Sequence, residues 1–392
     1  MLEYYDYIII GAGIAGLKAA ETIRQYDVSG KILMVNGEDR LPYKRTSISK
    51  RLSAGFQKEE LALKPAEWYE KMTIELVDGL VTEVLTATKE VILRNGRIRW
   101  NKLIFCTGST PIEINPMLPP LTGLYYFRNA EDVDFIRSQN IVNEHIVIIG
   151  GGVQGIELIE QMLSLGNKVS LIHHANILMN RHFDEFMAGH LLQLLKEKGV
   201  EVFLETKVKS IQKTESQVFE IILDQGEPLY CNKIIVSIGT KPTVDLAHES
   251  GLEINNGILV NQFLQASHPD VYAAGDVAEH PGGWITGLWH AAEKQGIIAG
   301  TNATGQECAF EKTTFRLKLN FFDQYYFSMN PQHANIEIDE QILHKGDKYY
   351  RFFFKNNLLQ GVLMMNDKDN AKYLEDSVRK SADRELIMRV FA

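Results

Sequence analysis

The sequence predicts an α/β protein with two Rossmann-like dinucleotide-binding domains and a small α+β domain at its C-terminus. Two glycine-rich turns, each placed between a buried strand and an amphipathic helix, predict the first two domains. A change to short alternating strands at about residue 315 predicts the third. We expect turns at Lys345-Gly-Asp347 and Asn356-Asn357 between its strands and one helix from about residue 371 to 389 at its end. The predicted domains are 1–110 together with 240–314, then 111–239, and finally 315–392.

The first glycine-rich turn is Gly11-x-Gly13-x-x-Gly16, which follows the apolar run 7–10 and precedes a helical pattern. In such a turn the first glycine permits a tight bend and the second lets the backbone approach a pyrophosphate. The third lets helix and strand pack closely. The pyrophosphate then lies at the helix N-terminus. Glu38, just beyond the second strand, is the candidate carboxylate for the adenosine ribose.

The second glycine-rich turn is Gly150-Gly-Gly152-Val-Gln-Gly155. A strand at 145–149 precedes it, and an apolar helix and a strand at 168–172 follow. Two complete strand–turn–helix–strand units in one chain predict two bound dinucleotides. A protein that binds two dinucleotides most simply moves a hydride between them.

Composition limits the kinds of partner. The hydrophobic content of 45% and charged content of 23% are those of a soluble globular protein. The net charge of −9 argues against nucleic acid. Cys106, Cys231 and Cys308 lack the spacing of a metal site or a disulfide framework, which favours a reducing compartment. The apolar run near the N-terminus is too short for a signal peptide or a membrane span, so we expect a cytoplasmic location and no membrane partner.

The residues alone leave three assignments open. Arg45 and Lys50 lie in a loop rich in cations, and they either bind a cofactor or are simply solvated. Thr107 and Gly108 follow a buried strand, where they either bring backbone against a ligand or form an ordinary turn. Asp276 either accepts a hydrogen bond from a ligand hydroxyl or caps a helix.

Taken together, these motifs resemble those of the two-dinucleotide flavoprotein reductases with the glutathione-reductase-like fold. Within that group the chain is most similar to NADH:rubredoxin reductases and to the flavin-binding N-terminal part of the assimilatory nitrite reductase large subunit. The resemblance covers nearly the whole chain. The motifs that carry it are Gly11-Ala-Gly-Ile-Ala-Gly16, Leu41-Pro-Tyr-x-Arg-x-x-Ile-Ser-Lys50, Cys106-Thr-Gly-Ser-x-Pro111, Gly150-Gly-Gly-Val-Gln-Gly-Ile-Glu157, Gly239-Thr-Lys-Pro242, Tyr272-Ala-Ala-Gly-Asp276 and the segment from Trp289 to Gly296.

The resemblance implies an FAD site in the first domain. The first glycine motif and Glu38 would hold the ADP half of FAD, Asp276 would bond the ribityl chain, and Trp289 would lie near the isoalloxazine. The implied FAD-binding residues are Gly11, Gly13, Ala15, Gly16, Glu38, Arg45, Lys50, Val81, Thr107, Gly108, Asp276 and Trp289.

The resemblance also implies an NADH or NADPH site in the second domain. Lys50 and Glu157 are the implied catalytic pair, with Lys50 beside flavin N5 and Glu157 holding the lysine in place. A cation near N5 favours the electron-rich reduced flavin. The implied NAD(P)H-binding residues are Gly150, Gly152, Gly155, Glu157, His173 and Gly239.

Three departures from the family pattern bear on function. His173-His174 stand where an acidic residue usually bonds the ribose 2′-OH and repels a 2′-phosphate, so the choice between NADH and NADPH stays open. Gln154 stands where many relatives have isoleucine. The segment 47–49 has no cysteine where disulfide reductases carry a redox pair, so we do not expect thiol–disulfide chemistry. A metal site at the histidines is not expected either.

The resemblance therefore predicts an FAD-dependent NAD(P)H:acceptor oxidoreductase that passes electrons to a small iron or iron–sulfur carrier, such as rubredoxin. One alternative is a component of a nitrite reductase electron-transfer system. Another is a flavoprotein with mainly a binding or signalling role. Arg40, Lys44 and Arg51 are candidate docking charges for an acidic carrier, with a solvated loop as the alternative. The oligomeric state is not predicted.

Overall fold

The structure is a computed structural model that describes residues 3–94, 96–114, 121–311, 314, 316–331 and 337–391. The chain forms two compact units. The first unit is Met1–Ile48, Phe56–Ile112 and Thr240–Thr313, and the second unit is Ser49–Gly55, Glu113–Gly239 and Thr314–Ala392. The division into three functional domains stays a prediction, and its last boundary, at residue 315, falls outside the described residues.

Helices and strands are numbered in chain order. Up to residue 112 they are β1 (Glu3–Ile10), α1 (Ile14–Tyr26), β2 (Ile32–Asn36), α2 (Ala66–Lys71), β3 (Ile74–Asp78), β4 (Val81–Leu85), β5 (Glu90–Leu93), β6 (Gly96–Phe105) and β7 (Ser109–Pro111). From residue 121 to 239 they are β8 (Leu124–Tyr126), α3 (Ala130–Ser138), β9 (His145–Ile149), α4 (Val153–Ser164), β10 (Lys168–Ile172), α5 (Glu185–Glu197), β11 (Glu201–Phe203), β12 (Val208–Lys213), β13 (Phe219–Leu223), β14 (Leu229–Cys231) and β15 (Lys233–Val236).

The remaining elements complete the first unit and form the C-terminal part of the second. They are β16 (Thr240–Pro242), α6 (Asp245–Glu249), β17 (Ile258–Leu259), β18 (Val271–Ala273), β19 (Ala278–Glu279), α7 (Trp289–Ala303), β20 (Arg316–Phe321), β21 (Gln324–Met329), β22 (Asp339–Lys345), β23 (Lys348–Lys355), β24 (Leu358–Met365), α8 (Ala371–Arg379) and α9 (Arg384–Phe391). Among the described helices, none is both long and apolar enough to cross a membrane.

The main sheet of the first unit has a parallel core with the strand order β3-β2-β1-β6, and β18 also pairs with β6 in parallel. The β4–β5–β6 segment adds an antiparallel meander. The helices α1 and α7 pack so closely that a Cβ at Gly296 would overlap the backbone oxygen of Ala15. This arrangement confirms the α/β fold predicted for the first glycine-rich turn.

The main sheet of the second unit is parallel, with the strand order β11-β10-β9-β15-β8. The order reverses between β9 and β15, since α4 leads from β9 to β10 on one side while β15 pairs on the other. Ligands of open α/β sheets bind at the carboxyl ends of the strands beside such a reversal. A separate antiparallel sheet, β12-β13-β14, belongs to the same unit.

The C-terminal part of the second unit is an antiparallel sheet in the order β20-β21-β24-β23-β22, with α8 and α9. The predicted turn at Asn356-Asn357 is confirmed, and both residues have positive φ angles of 52° and 61°. Positive φ at both central residues suits a two-residue hairpin turn.

The prediction of one helix from about residue 371 to 389 is wrong, because the chain forms α8 and α9 instead. Ser381 between them has a φ of +48°, which ends the first helix. The Ala382 carbonyl then accepts a hydrogen bond from the Leu359 N–H at 2.8 Å. Asp383 accepts one from the Glu385 N–H, also at 2.8 Å, at the start of α9. Pairing with the neighbouring strand therefore interrupts the helical pattern.

Candidate cofactor-binding and active site

The first glycine-rich turn contains two glycines that the backbone itself requires. Gly11 has a φ of +105°, and a Cβ there would overlap the carbonyl oxygen of Cys106. A Cβ at Gly16 would overlap the carbonyl oxygen of Gly11. Gly13 differs from both, since no described residue beyond its neighbours along the chain has a heavy atom within 4 Å of the position that its Cβ would take. The fold therefore requires Gly11 and Gly16, while the space at Gly13 remains open for a ligand.

The second glycine-rich turn repeats this arrangement. Gly150 has a φ of +119°, and a Cβ there would overlap the carbonyl oxygen of Ser237. A Cβ at Gly155 would overlap the carbonyl oxygen of Gly150, and the position at Gly152 is again open. The same three roles thus recur at the carboxyl ends of β9 and β15.

The helices that follow the two turns begin without side-chain caps. Gly13 is the N-cap of α1 and Gly152 is the N-cap of α4, and neither helix has an acidic residue in its first turn. By contrast, Asn129 caps α3 and Asp184 caps α5 through their side chains. The first N–H groups and positive dipole ends of α1 and α4 are therefore available to an anion. The residues present fit the pyrophosphates of two dinucleotides.

Glu38 and Arg45, which the sequence assigns separately to FAD, form an ion pair. Tyr43 links them, since its hydroxyl donates to Glu38 Oε2 at 2.7 Å and accepts from Arg45 Nη1 at 3.0 Å. These side chains line one pocket together with Gly13. Glu38, which the sequence predicts to bind the ribose, is thus held in place beside Gly13, where the pyrophosphate is predicted to bind.

Asp276 lies in the same unit, where Ser109 Oγ donates to its Oδ2 at 3.2 Å. Burial of the guanidinium lowers the pKa of Arg45, but Tyr43, Glu38 and the charge of Asp276 together raise it above its ordinary value. Asp276 does not cap the following helix, because α7 begins only after Leu288. The structure therefore removes the capping alternative and leaves the ligand role of Asp276 as a prediction.

Thr107 and Gly108 hold the chain between β6 and β7. Thr107 Oγ1 donates to the Thr243 carbonyl at 2.8 Å, and the Gly108 carbonyl accepts from the Thr243 N–H at 2.9 Å. Both residues therefore have a structural role, and a contact with FAD stays a prediction.

Three other predicted FAD residues belong to the core of the first unit. Ala15 is buried on α1, while Val81 at the start of β4 and Trp289 at the start of α7 are partly buried against the core. Their contacts with FAD also stay predictions.

Lys50 and Glu157 are in contact within the second unit. Lys50 Nζ lies 3.3 Å from Glu157 Oε1, and Ser49 Oγ donates to Glu157 Oε2. Burial raises the pKa of Glu157, and this effect outweighs the lowering by Lys50 and Ser49. The sequence identified the pair through resemblance but did not identify Ser49 as a third member. The catalytic role of the pair stays a prediction.

The segment 49–55 that carries Lys50 is fixed to α4 and α3. Ser53 donates to Gln161 Oε1 from its N–H at 3.1 Å and from its hydroxyl at 2.7 Å. Arg137 Nη1 donates to the Leu52 carbonyl at 3.1 Å. Gln161 lies four residues after Glu157, so the two side chains share one face of α4. That spacing is the only sequence signal that could have suggested Gln161.

His173 braces the second glycine-rich turn. Its Nδ1 accepts a hydrogen bond from the Gly151 N–H at 3.1 Å, so its Nε2 donates to the Ile177 carbonyl at 3.1 Å. Burial, and then the neighbouring His174, lower the pKa of His173. Both ring nitrogens are therefore engaged by backbone groups. Gly239 follows β15 and is exposed, with a φ of +118°. The roles of His173 and Gly239 toward NAD(P)H stay predictions.

Residues 5–296 match the family described as pyridine nucleotide-disulphide oxidoreductase. The chain belongs to this family. As a member of the pyridine nucleotide-disulphide oxidoreductase family, the protein is an FAD-dependent NAD(P)H oxidoreductase. The predictions of the family, of the two-dinucleotide fold and of FAD with NADH or NADPH as cofactors are confirmed.

Relatives of this family member match most of its length. It is 32% identical over 375 residues to the 3-phenylpropionate/cinnamic acid dioxygenase ferredoxin–NAD(+) reductase component of Photorhabdus laumondii subsp. laumondii, with 92% of each chain covered. It is 28% identical over 386 residues to the assimilatory nitrate reductase electron transfer subunit of Bacillus subtilis, covering 96% of this chain and 49% of that subunit. The solved structure of NADH:rubredoxin oxidoreductase from Clostridium acetobutylicum is 25% identical, with a TM-score of 0.76 and coverage of 97% and 96%.

The three cysteines are unpaired in this member of the family. Burial raises the pKa of the Cys106 thiol and raises the pKa of Cys231 to about 12. A thiol with a raised pKa is a poor nucleophile at neutral pH. Among the described residues, no group of three His, Cys, Asp or Glu side chains could hold a metal ion.

Proposed function

We propose that the protein passes electrons from NAD(P)H to a small iron or iron–sulfur carrier protein, such as a ferredoxin or a rubredoxin. The observation that carries this proposal is a relative of matching length, with 92% of each chain covered, that is named as a ferredoxin–NAD(+) reductase component. The named NADH:rubredoxin oxidoreductase structure adds support. A cytoplasmic location fits the three unpaired cysteines.

The residues of the chain support this function by binding and orienting two dinucleotides. Bound FAD supplies two-electron chemistry toward the nicotinamide and one-electron chemistry toward a carrier. The N-terminus of α1 and the open space at Gly13 suit the FAD pyrophosphate, with Glu38 beside them. The N-terminus of α4 and the open space at Gly152 suit the NAD(P)H pyrophosphate. Glu157 and Ser49 restrain the Lys50 cation.

A protein carrier is a better acceptor than a disulfide for this chain. Disulfide reductases carry a redox-active cysteine pair in the region where this sequence has Ser47-Ile-Ser49. Ser49 instead donates its hydroxyl hydrogen to Glu157. A residue of this region thus helps to hold a carboxylate in place.

Docking of an acidic carrier needs local positive charge, because the net charge of this chain is −9. Lys44 in the first unit is exposed, and its N–H bonds the Leu61 carbonyl at 2.9 Å, which fixes the backbone of its loop. Arg40 in the same unit lies over the Phe56 ring at 5.7 Å. Arg51 is half-buried in the second unit. Of these three predicted docking charges, Lys44 is the most accessible.

A second candidate is a role as an electron-transfer component of a nitrate or nitrite reductase system. It is favoured by the 28% identity to the nitrate reductase electron transfer subunit over 96% of this chain. This chain spans about half the length of that relative.

The test is anaerobic steady-state turnover of the FAD-loaded protein with NADH and NADPH and a panel of acceptors. The proposal predicts rapid reduction of a ferredoxin or a rubredoxin and little reduction of glutathione disulfide or other disulfides. Disulfide reduction faster than carrier reduction would overturn the proposal. Fast ferricyanide reduction without transfer to any carrier would favour a binding or signalling flavoprotein.

A further inference from the structure

Gln154 lies in the first turn of α4, two residues after the N-cap Gly152. Its side chain is half-buried and reaches across to the end of the neighbouring strand, where Ser237 Oγ donates to Gln154 Oε1 at 3.1 Å. Ser237 directly follows β15, and its N–H bonds the Ile149 carbonyl at the end of β9. Gln154 and Ser237 therefore bridge the two strands between which the sheet order reverses.

The hydrogen bond from Ser237 fixes the orientation of the Gln154 side-chain amide. A serine hydroxyl that donates to the carboxamide oxygen leaves the carboxamide nitrogen with two N–H donors. In the described part of the chain, no hydrogen-bond acceptor contacts this nitrogen. The amide donors thus lie at the N-terminus of a helix that has no side-chain cap and no acidic residue in its first turn.

We propose that Gln154 is a nucleotide-binding residue whose amide N–H groups donate to the pyrophosphate of NAD(P)H. This inference rests on the proposed function, since it requires a nicotinamide dinucleotide on the second unit. In folds of this kind a dinucleotide pyrophosphate binds at the helix N-terminus, in the crevice at the strand reversal. Ser237 is a positioning residue, because its hydroxyl hydrogen is donated to Gln154 and orients the amide.

The alternative is that Gln154 only ties α4 to the end of β15. The two roles predict opposite orders for two substitutions. Gln154→Glu has the same shape, still accepts the Ser237 hydrogen bond, and places a carboxylate where the helix dipole favours one. Gln154→Met has a similar length and cannot accept that bond. A purely structural role therefore makes Met the more harmful substitution, whereas pyrophosphate binding makes Glu the more harmful one.

The experiment measures the dissociation constants of NAD⁺, NADP⁺ and ADP-ribose for the FAD-loaded protein by isothermal titration calorimetry. For the nucleotide that the unmodified protein binds more tightly, Gln154→Met should weaken binding about tenfold, as for loss of a hydrogen bond to a charged group. Gln154→Glu should weaken it by well over tenfold because the carboxylate also repels the pyrophosphate. ADP-ribose, which keeps the pyrophosphate and lacks the nicotinamide, should show the same order.

Two further variants separate orientation from folding. Ser237→Ala should weaken nucleotide binding by a smaller factor, and this effect should disappear in the Gln154→Met background because the two residues act together. Gln193→Glu, which makes the same chemical change on the exposed face of α5, should leave binding unchanged. FAD content and the thermal midpoint of Gln154→Glu should match those of the unmodified protein.

Gln154→Glu binding within twofold of the unmodified protein would overturn the inference. So would a larger loss for Gln154→Met than for Gln154→Glu, which is the structural order. A loss seen with NAD⁺ and absent with ADP-ribose would overturn the assignment to the pyrophosphate. Failure of the unmodified protein to bind either nicotinamide nucleotide would instead overturn the proposed function, and this inference with it.

Discussion

Lys50 Nζ lies 3.3 Å from Oε1 of Glu157, although the two residues are far apart in the sequence. The side chain of Glu157 is 9% exposed and that of Lys50 is 46% exposed, so the carboxylate is the more desolvated partner. Burial raises the pKa of Glu157 more strongly than Lys50 lowers it. The ionised state of Glu157 therefore depends on the lysine.

The first prediction is that Lys50 and Glu157 act as a unit. Lys50→Met and Glu157→Gln should each slow the reduction of bound FAD by NAD(P)H, and the double variant should be less impaired than the sum of the two losses. Contacting charges typically couple by about 0.5–3 kcal/mol, and the exposure of Lys50 places this pair toward the lower end. Stopped-flow absorbance of the flavin measures the rates. Strict additivity would count against the pairing.

The second prediction concerns the pH dependence of stability at His173. Its pKa is lowered by burial first and by His174 second, so the unfolded chain binds the proton more tightly than the folded protein does. The free energy of unfolding should therefore fall as the pH drops below the ordinary value of 6.5. His173→Asn keeps an acceptor for the Gly151 N–H and should flatten this dependence in urea unfolding between pH 7 and 5.

His174→Asn is the matched control, because His174 is exposed. It should change the pH profile of unfolding less than His173→Asn does. If the two variants give the same profile, the buried imidazole is not the group that titrates.

The third prediction separates glycines that the fold requires from glycines that a ligand requires. Gly13→Val should leave a folded protein that does not bind FAD, because its side chain enters open space next to the helix N-terminus. Gly16→Ala should instead lower the free energy of unfolding by about 1–3 kcal/mol or more, since its Cβ overlaps the Gly11 carbonyl. Thermal unfolding and the flavin absorbance measure the two effects.

The corresponding control lies in the second turn. Gly152→Val should fold and keep FAD, but it should lose binding of NAD(P)H, because the open position at Gly152 belongs to α4. Loss of FAD from Gly152→Val would contradict the assignment of separate nucleotide sites to the two turns.

The fourth prediction concerns carrier docking. Lys44→Glu and Arg51→Glu should each lower the rate of electron transfer to an acidic carrier and weaken its dependence on salt, as expected for electrostatic steering. Ferricyanide reduction, which needs no specific docking site, should stay nearly unchanged. Equal losses with both acceptors would place these residues at the flavin, and no change with either would make them ordinary solvated charges.

The sequence predicts those parts of the fold that local pattern determines. In both glycine-rich turns the need for glycine arises within the motif itself. A Cβ at Gly16 would overlap the Gly11 carbonyl oxygen, and a Cβ at Gly155 would overlap the Gly150 carbonyl oxygen. The strands and helices beside them follow from hydrophobic pattern. These elements are found where the sequence places them.

The parts that the sequence does not predict depend on contacts between distant segments. Ser49 donates a hydrogen bond to Glu157, which lies 108 residues further along the sequence, and no local sequence pattern predicts that bond. Gln154 is visible in the sequence as a departure from the family, but its partner Ser237 is 83 positions away. Ser381 interrupts the last helix because the following residues pair with a neighbouring strand. The periodicity of hydrophobic residues along the sequence predicts none of these contacts.

The most direct test of the proposed electron path is an anaerobic two-step absorbance experiment on the FAD-loaded protein. We expect NADH or NADPH to bleach the visible absorbance band of the oxidised flavin, as hydride transfer to flavin requires. Addition of oxidised ferredoxin or rubredoxin should then restore the band while the carrier is reduced. A flavin that is not bleached by either nucleotide, or a bleached flavin that no carrier reoxidises, would contradict the account.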